Sequence, residues 1–541
     1  MSNYANGLKG RERGVLRMQL SVVWKCARAA AIELHDGSLF KTGEPFKLYI
    51  NDVERGETDR VVTYVDGLEP QTVYRVRLER GEDVATTVIV TDDETFTLNV
   101  REFGAAGDGV RDDTTSIQAA IMSCPDKGRV LVPAGDYRIS SLFLKSNISL
   151  ELAEGATLKV RFDRENLAYL PGNIEGQPGQ GHAGSGILPL GTWEGESCSM
   201  FCGAIMGMGV RGTTVYGRGV IDGQASFDED NWWFEAKKIR IAARPRLIFL
   251  SECRHMAFAG ITVRNSPSWN IHPVLSSHLG FWCLNIEGPK VSPNTDGLDP
   301  ESCCSVTIKG CHFSVGDDCI AVKSGKLSMP RALRPPTRDM LIEQCYMHDG
   351  HGSIVLGSEI SGGVCGFTAR NCLFERTDRG LRVKTRRGRG KDSVVVGVCF
   401  ENIEMNEVKV PFVVNSFYFC DPDGKTDYVQ CREALPMDDR TPKVASLCFK
   451  DIDARNCHAA AAYVTGLPES RIDMLELHNV HVDFADDAEP FVPAMACGVE
   501  EMTRKGFIAE HVGTLLLDHV DIEGADGDEL VLDDVNNVVR E

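Results

Sequence analysis

Val306-Thr307-Ile308 leads into Cys311, Met340-Leu341-Ile342 into Cys345, and Gly366-Phe367-Thr368 into Cys372. Each time a short apolar strand runs into a turn, a second strand follows, and a polar turn closes the unit. The theme starts near residue 129. Later echoes are Leu447-Cys448-Phe449, Met474-Leu475-Glu476-Leu477 and Leu515-Leu516-Leu517. The intervals run from the mid-twenties to the mid-forties, and such a repeat of short strands reads as a parallel β-helix. One coil cannot bury its inner face alone, and stacking supplies the core. A leucine-rich repeat is the runner-up, but its Leu/Asn consensus is missing. A chain of 541 residues is long for one compact core, a limit that stacked repeats escape.

Upstream, residues 16 to about 96 read as short alternating strands, such as Phe46–Ile50 and Tyr74–Leu78. Gly67-Leu68-Glu69-Pro70, followed by Thr72 and Tyr74, resembles the corner before the sixth strand of a fibronectin type III sandwich. That resemblance implies a Tyr74 hydroxyl bonded back to the upstream backbone, with Trp24 in the core. Another small β-sandwich is the alternative. The expected domains are therefore 1–96 and 97–541. The link Phe103–Gly109 is glycine-rich, yet no Gly-Lys-Ser/Thr follows, so it is not a phosphate loop. Asp112-Asp113-Thr114 then starts a short helix with Ile117, Ala120 and Ile121 on one face. It would cap the open end of the coil stack.

Two stretches break the repeat. Residues 161–200 end in Trp193-Glu194-Gly195-Glu196, and residues 222–246 contain Trp232-Trp233-Phe234. Long irregular segments in a compact domain are usually functional. Tryptophans suit a packed wall near a site, offering apolar faces to a ligand. An edge-covering loop without ligand contact is the alternative.

The chemistry lies between Asn294 and Lys384. Asn294-Thr295-Asp296, Gly316-Asp317-Asp318, Gly350-His351-Gly352 and Arg382-Val383-Lys384 follow one another at about one repeat each. Asp296 and Asp318 are 22 residues apart, near one coil. Neighbouring strands lie roughly 4.8 Å apart, so Asp296, Asp317 and Asp318 should converge. Carboxylates that close cannot all ionise easily, and one pKa should rise, as a general acid requires. His351, one coil further, can tune that proton. Arg382 and Lys384 share one face of a strand and can grip a carboxylate.

These four motifs are similar to the signature set of the polygalacturonases, glycoside hydrolase family 28, over residues from about 98 to the C-terminus. The resemblance implies an all-β, right-handed parallel β-helix. It implies hydrolysis of α-1,4 bonds between galacturonate residues with inversion, and no cofactor or metal. Asp317 is then the general acid, and Asp296 and Asp318 activate the water. Asn294, Arg382, Lys384 and Tyr418 bind substrate. Asn265-Ser266-Pro267 with Trp269 matches bacterial members and places His272 near the substrate. Inversion conflicts with coil spacing, because inverting pairs are about 6.5–9.5 Å apart. The insertions, the added N-terminal domain and the missing signal resemble exo-acting bacterial members. The alternatives are a rhamnogalacturonan or xylogalacturonan hydrolase, a calcium-dependent lyase, and a non-catalytic carbohydrate-binding β-helix.

A net charge of −20 argues against nucleic acid. Arg376, Arg379, Arg382, Lys384, Arg386, Arg387, Arg389 and Lys391 form a cationic focus that can steer an acidic sugar. Half or more are expected in a solvated turn, and two or three on the substrate. The 19 cysteines include the repeat-equivalent Cys253, Cys311, Cys345 and Cys372, which suit stacked interior thiols in a reducing compartment. No Cys/His spacing matches a zinc site. No secretory signal or membrane-spanning run is seen, so a cytoplasmic protein is expected.

Overall fold

The computed structural model describes residues 18–541 except 162, 178, 180, 237 and 239–243. The polar stretch Met1–Arg17 lies outside the described residues. The chain forms two compact units, the first ending at Asp92 and the second starting at Asp93.

The first unit has seven strands: β1 (Gln19–Lys25), β2 (Ala30–His35), β3 (Lys41–Ile50), β4 (Val53–Arg60), β5 (Val62–Val65), β6 (Val73–Arg80) and β7 (Asp83–Val90). They pair as one antiparallel sheet β1-β2-β5 and another β4-β3-β6-β7. The period-2 pattern drives the packing. Ala30, Ile32 and Leu34 of β2 meet Phe46, Leu48 and Ile50 of β3 in one core. The Tyr74 hydroxyl accepts the Glu69 N–H at 2.8 Å, as the corner motif implies. Trp24 is a correction. A bulge between Val22 and Trp24 shifts the register, and a one-residue shift swaps faces. Trp24 therefore leaves the core side and stacks on Tyr64, at 6.5 Å between rings.

The second unit is a parallel β-helix, a sheet of 28 strands in which each coil pairs with the next. The coil register aligns Ile248, Ile271, Leu298, Ile320, Ile354, Leu381 and Phe412 in one interior column. All seven are buried, and each such burial is worth roughly 1.5–3 kcal/mol. Phe400 stacks on Phe449 at 5.5 Å in a second column. Cys311, Cys345 and Cys372 stand in register and hydrogen-bond along the stack. Cys253 is not part of this ladder, because it precedes Arg254, which pairs with Ser277 and thence Cys304. It is therefore aligned with Ser276 and Cys303. No disulfide links any of the nineteen cysteines.

Helix α1 (Thr114–Ser123) lies at the start of the coil stack, with Ile117, Ala120 and Ile121 buried. Asp113 precedes it without capping it. Its carboxylate instead accepts the Ala106 and Gly107 N–H groups, at 2.6 and 2.8 Å. The side chain thus fastens the glycine-rich link to the helix start.

Candidate active site

Asp296 and Asp318 sit on adjacent coils, since the Gly297 N–H donates to the Asp318 carbonyl at 3.0 Å. Carboxylate oxygens of Asp296, Asp317 and Asp318 lie within 4.8 Å of one another. The close turn between them needs Gly316, whose Cβ would stand 2.2 Å from the Ser292 carbonyl oxygen. Asp296 and Asp318 are 4% and 1% exposed, whereas the Asp317 side chain is 23% exposed. Asp317 accepts the Asp318 N–H at 3.0 Å.

Burial and the neighbouring Asp317 charge push Asp296 well above the usual carboxylate range. Burial would also raise Asp318, but the Lys384 ammonium and the Arg382 guanidinium outweigh it and hold Asp318 at about 2. One member of the cluster is thus kept charged while another favours a proton. His351 faces this cluster. Its Nδ1 lies 3.4 Å from Asp317 Oδ1 and its side chain is 53% exposed. Gly350, at φ +101°, leaves room for the Asp317 carbonyl. The hydrogen bond that His351 donates to the Asp317 carboxylate raises the His351 pKa.

The Lys384 ammonium donates to Asp318 Oδ2 at 2.7 Å. Arg382 Nη1 lies 3.7 Å from Asp318 Oδ1. Arg382 Nε and Nη2 are buried and have no protein partner. These two donors share one edge of the guanidinium, the edge that grips a carboxylate in bidentate fashion. Tyr418 is brought to the same place, its ring 5.5 Å from the Lys384 ammonium. Asn294 Oδ1 accepts Arg244 Nη2 at 2.7 Å. His272 departs from its expected position. It is fully buried and paired with Glu301 at 2.9 Å, with rings of Phe249 and Trp269 packed edge-on. It stands behind the site, out of ligand reach.

The basic run also differs from the expected solvated turn. Six of the eight cations are buried, namely Arg379, Arg382, Lys384, Arg386, Arg387 and Arg389. Arg382 and Lys384 pair with Asp318, and the other four take partners from later loops. Arg386 and Arg389 meet Asp421 at 2.8 and 2.6 Å. Arg387 grips Glu469 through Nε and Nη2 at 2.6 and 2.8 Å. Arg379 donates to the carbonyls of Val492 and Pro493. Breaking a buried pair by removing one partner costs about 3–5 kcal/mol. Arg387→Ala should therefore lower the denaturant midpoint sharply, while Lys391→Ala at the exposed end should stay within about 0.5 kcal/mol of wild type. Equal midpoints for the two variants would refute the clamp role of Arg387.

Both insertions reach the site. Arg244 donates to the carbonyls of Pro267 and Pro293, at 3.0 and 2.7 Å. Burial pulls it down to about 10, opposed by the charges of Asp317 and Asp296. The hairpin Thr192–Ser197 pairs Trp193 with Glu196 and stacks Trp193 on Trp269 at 4.3 Å. Asn270, next to Trp269, donates its N–H to the Asp296 carbonyl at 2.8 Å. The Gly195 carbonyl accepts the Lys326 N–H at 2.8 Å. The tryptophans are not sugar platforms, however. Trp193, Trp232 and Trp233 are all buried, and Trp232 packs with Leu167 and Ala225. Apolar area this large is worth more inside the wall than on its surface.

Sequence reasoning missed Arg244 and a buried polar group beside the aspartates. Lys323 lies 3.4 Å from Asp299 and 3.3 Å from Glu359. Burial pushes Asp299 up to about 8. The only available signal was register, because Lys323, Gly357 and Lys384 share one outward column.

A parallel β-helix carrying three clustered carboxylates beside paired cations defines a β-helical glycoside hydrolase. A family model for glycosyl hydrolases family 28 matches residues 129–485, and the chain belongs to that family. A second, rhamnogalacturonase A/epimerase, pectate lyase-like, matches residues 97–154. A probable polygalacturonase of Vitis vinifera is 29% identical over 411 residues, covering 74% of this chain and 76% of that protein. An endo-polygalacturonase of Pectobacterium carotovorum subsp. carotovorum is 29% identical over 318 residues, 56% of this chain and 72% of that one. Among solved structures, the family 28 exopolygalacturonase of Yersinia enterocolitica aligns with a TM-score of 0.71 at 18% identity. It covers 96% of this chain and 98% of that chain, a likeness of fold alone.

Proposed function

We propose that the protein hydrolyses α-1,4 bonds between galacturonate residues, with inversion, from a chain end. The observation that carries the substrate class is the guanidinium of Arg382 and the ammonium of Lys384 set together against the acid cluster. Such a cationic pair matches a uronate carboxylate. Of the relatives given above, one is named a probable polygalacturonase and one an endo-polygalacturonase. Asp317 is the cluster member open to a ligand and gives its proton to the leaving oxygen. Asp296 and Asp318 lie too deep to attack an anomeric carbon themselves, so they act through a water. This supports inversion even though the carboxylates are closer than the usual inverting separation of about 6.5–9.5 Å. Proton NMR of the first product formed should show the anomer opposite to the bond cleaved. Retention would overturn the water-mediated assignment. Turnover should persist in chelator without an unsaturated product, which separates hydrolysis from a lyase.

End-on action rests on the wall formed by the Thr192–Ser197 hairpin and Arg244, both from segments that precede Asp296 in the chain. Arg382 and Lys384 lie on later coils and hold the leaving side. The viscosity of polygalacturonate should fall slowly while reducing ends accumulate steadily. A rapid early fall would show internal cleavage. The first unit is read as fibronectin type III-like from its β1-β2-β5 and β4-β3-β6-β7 order and the Tyr74 bond. A reducing, cytoplasmic setting suits nineteen cysteines without a disulfide.

His351 sets the alkaline side of the pH profile. Its pKa is raised by Asp317, so the charged imidazolium persists above the ordinary value of about 6.5. Activity that uses this charge is retained below that value and lost as pH rises through the raised one. His351→Gln should remove that limb from the kcat/KM profile. An unchanged alkaline limb would exclude His351 from proton tuning.

A further inference from the structure

The outer face of the C-terminal coils carries a second cluster of donors, on strands that hold none of the catalytic carboxylates. Cys399, Cys448 and Glu476 stand in register on three successive strands, Val394–Asn406, Ser446–Cys457 and Ile472–Phe484. His478 follows Glu476 by two positions and therefore shares its face. Donor atoms of Cys448, Glu476 and His478 all lie within 4.8 Å of one another. The thiols of Cys399 and Cys448 are hydrogen-bonded to each other. His478 Nδ1 is 3.1 Å from Asp518 Oδ2. A carboxylate on Nδ1 fixes the imidazole tautomer and leaves the Nε2 lone pair for a metal.

We propose that Cys448, Glu476 and His478 form a structural site for a zinc-class divalent ion, with Cys399 or water as the fourth ligand. Thiolate, imidazole and carboxylate make a borderline-soft set that favours zinc over calcium or magnesium. Bonds of about 2.0–2.3 Å require the donors to close by on the order of 1 Å. The half-buried side chains leave room for that movement. Lys450, in register with His478, is the nearby cation that could compete. Its ammonium is held by Glu401 at 2.8 Å. Bound metal would tie neighbouring coils together across the stack. No spacing rule reveals such a site, because the thiol ligand and the Glu–His pair come from different coils.

The test uses the full chain, reduced and stripped of metal, titrated with cobalt(II). One equivalent should give tetrahedral d–d bands and a thiolate-to-cobalt charge-transfer band, both displaced by zinc. Cys448→Ser should abolish the charge-transfer band. Asp518→Asn should weaken cobalt binding by about 10–100-fold, the usual effect of losing a partner behind a metal-bound histidine. Activity on polygalacturonate should be unchanged in both variants, and zinc should raise the melting temperature of wild type more than that of either variant. His478→Gln is the substitute should Cys448→Ser fold poorly. Cobalt binding without the charge-transfer band, as at an all-carboxylate site, would overturn the proposal. So would a band that survives in Cys448→Ser or His478→Gln, or affinity unaffected by Asp518→Asn.

Discussion

Asp317→Asn should cost about 10²–10⁴-fold in kcat, the range general acid–base catalysis supplies, while the protein stays folded. The amide oxygen can still accept the Asp318 N–H that the carboxylate now accepts at 3.0 Å. The residue is partly exposed, so no buried charge is left without a partner. What the amide cannot do is release a proton to a leaving oxygen. The loss should fall on kcat more than on KM, because binding the ground state does not use that proton. Asp296→Asn is a useful contrast. Asp296 is buried and already favours its neutral form, so the exchange should cost little stability. Its effect on rate then reports on how the neutral Asp296 holds the water that the charged Asp318 activates. Reducing-end release with matched melting curves decides both. An Asp317→Asn enzyme within a few-fold of wild type would end the assignment of Asp317 as the acid.

The sequence pattern made the coil register legible because an interior position tolerates little besides apolar residues. That is why the pattern alone aligns Val306, Met340 and Phe367, which share a column. The convergence of the aspartates is legible for the same reason, since one coil of spacing puts Asp296 beside Asp318. Trp24 was misplaced because a bulge leaves no mark on a hydrophobic pattern. The basic run was misread because its acidic partners, Asp421 and Glu469, stand far along the chain in loops with no repeat. A charge run reads as solvated until its counter-charges are found. Trp193 and Trp232 looked like sugar platforms on residue type alone. Their burial was decided by Trp269 and Leu167, which sequence spacing does not connect to them. His272 was likewise drawn toward the substrate, when Glu301 one coil on held it inside.

Lys384→Ala should do more than weaken the proposed substrate binding, because the Lys384 ammonium also holds Asp318. Removing it leaves a carboxylate that is 1% exposed with Arg382 beside it, at 3.7 Å. Breaking a buried pair costs about 3–5 kcal/mol, so the denaturant midpoint should drop. The sign of the pH effect follows from the direction of the shift. Asp318 is held at about 2 by Lys384 and Arg382 against its burial. Its ion pair contributes stability above the unfolded value of about 3.9, and that contribution is lost as pH falls through about 2. Without the ammonium, burial dominates and the Asp318 pKa rises. A neutral Asp318 cannot activate water, so the acid limb of the kcat/KM profile should move to higher pH. The loss of carboxylate binding should raise KM on galacturonides at the same time. Lys384→Arg keeps the charge and should restore the acid limb more fully than it restores KM, since a fork does not replace a point charge in a fixed pocket. A Lys384→Ala enzyme with higher KM but an unmoved acid limb would show that Lys384 serves the substrate alone. Unchanged kinetics on both counts would remove it from the site.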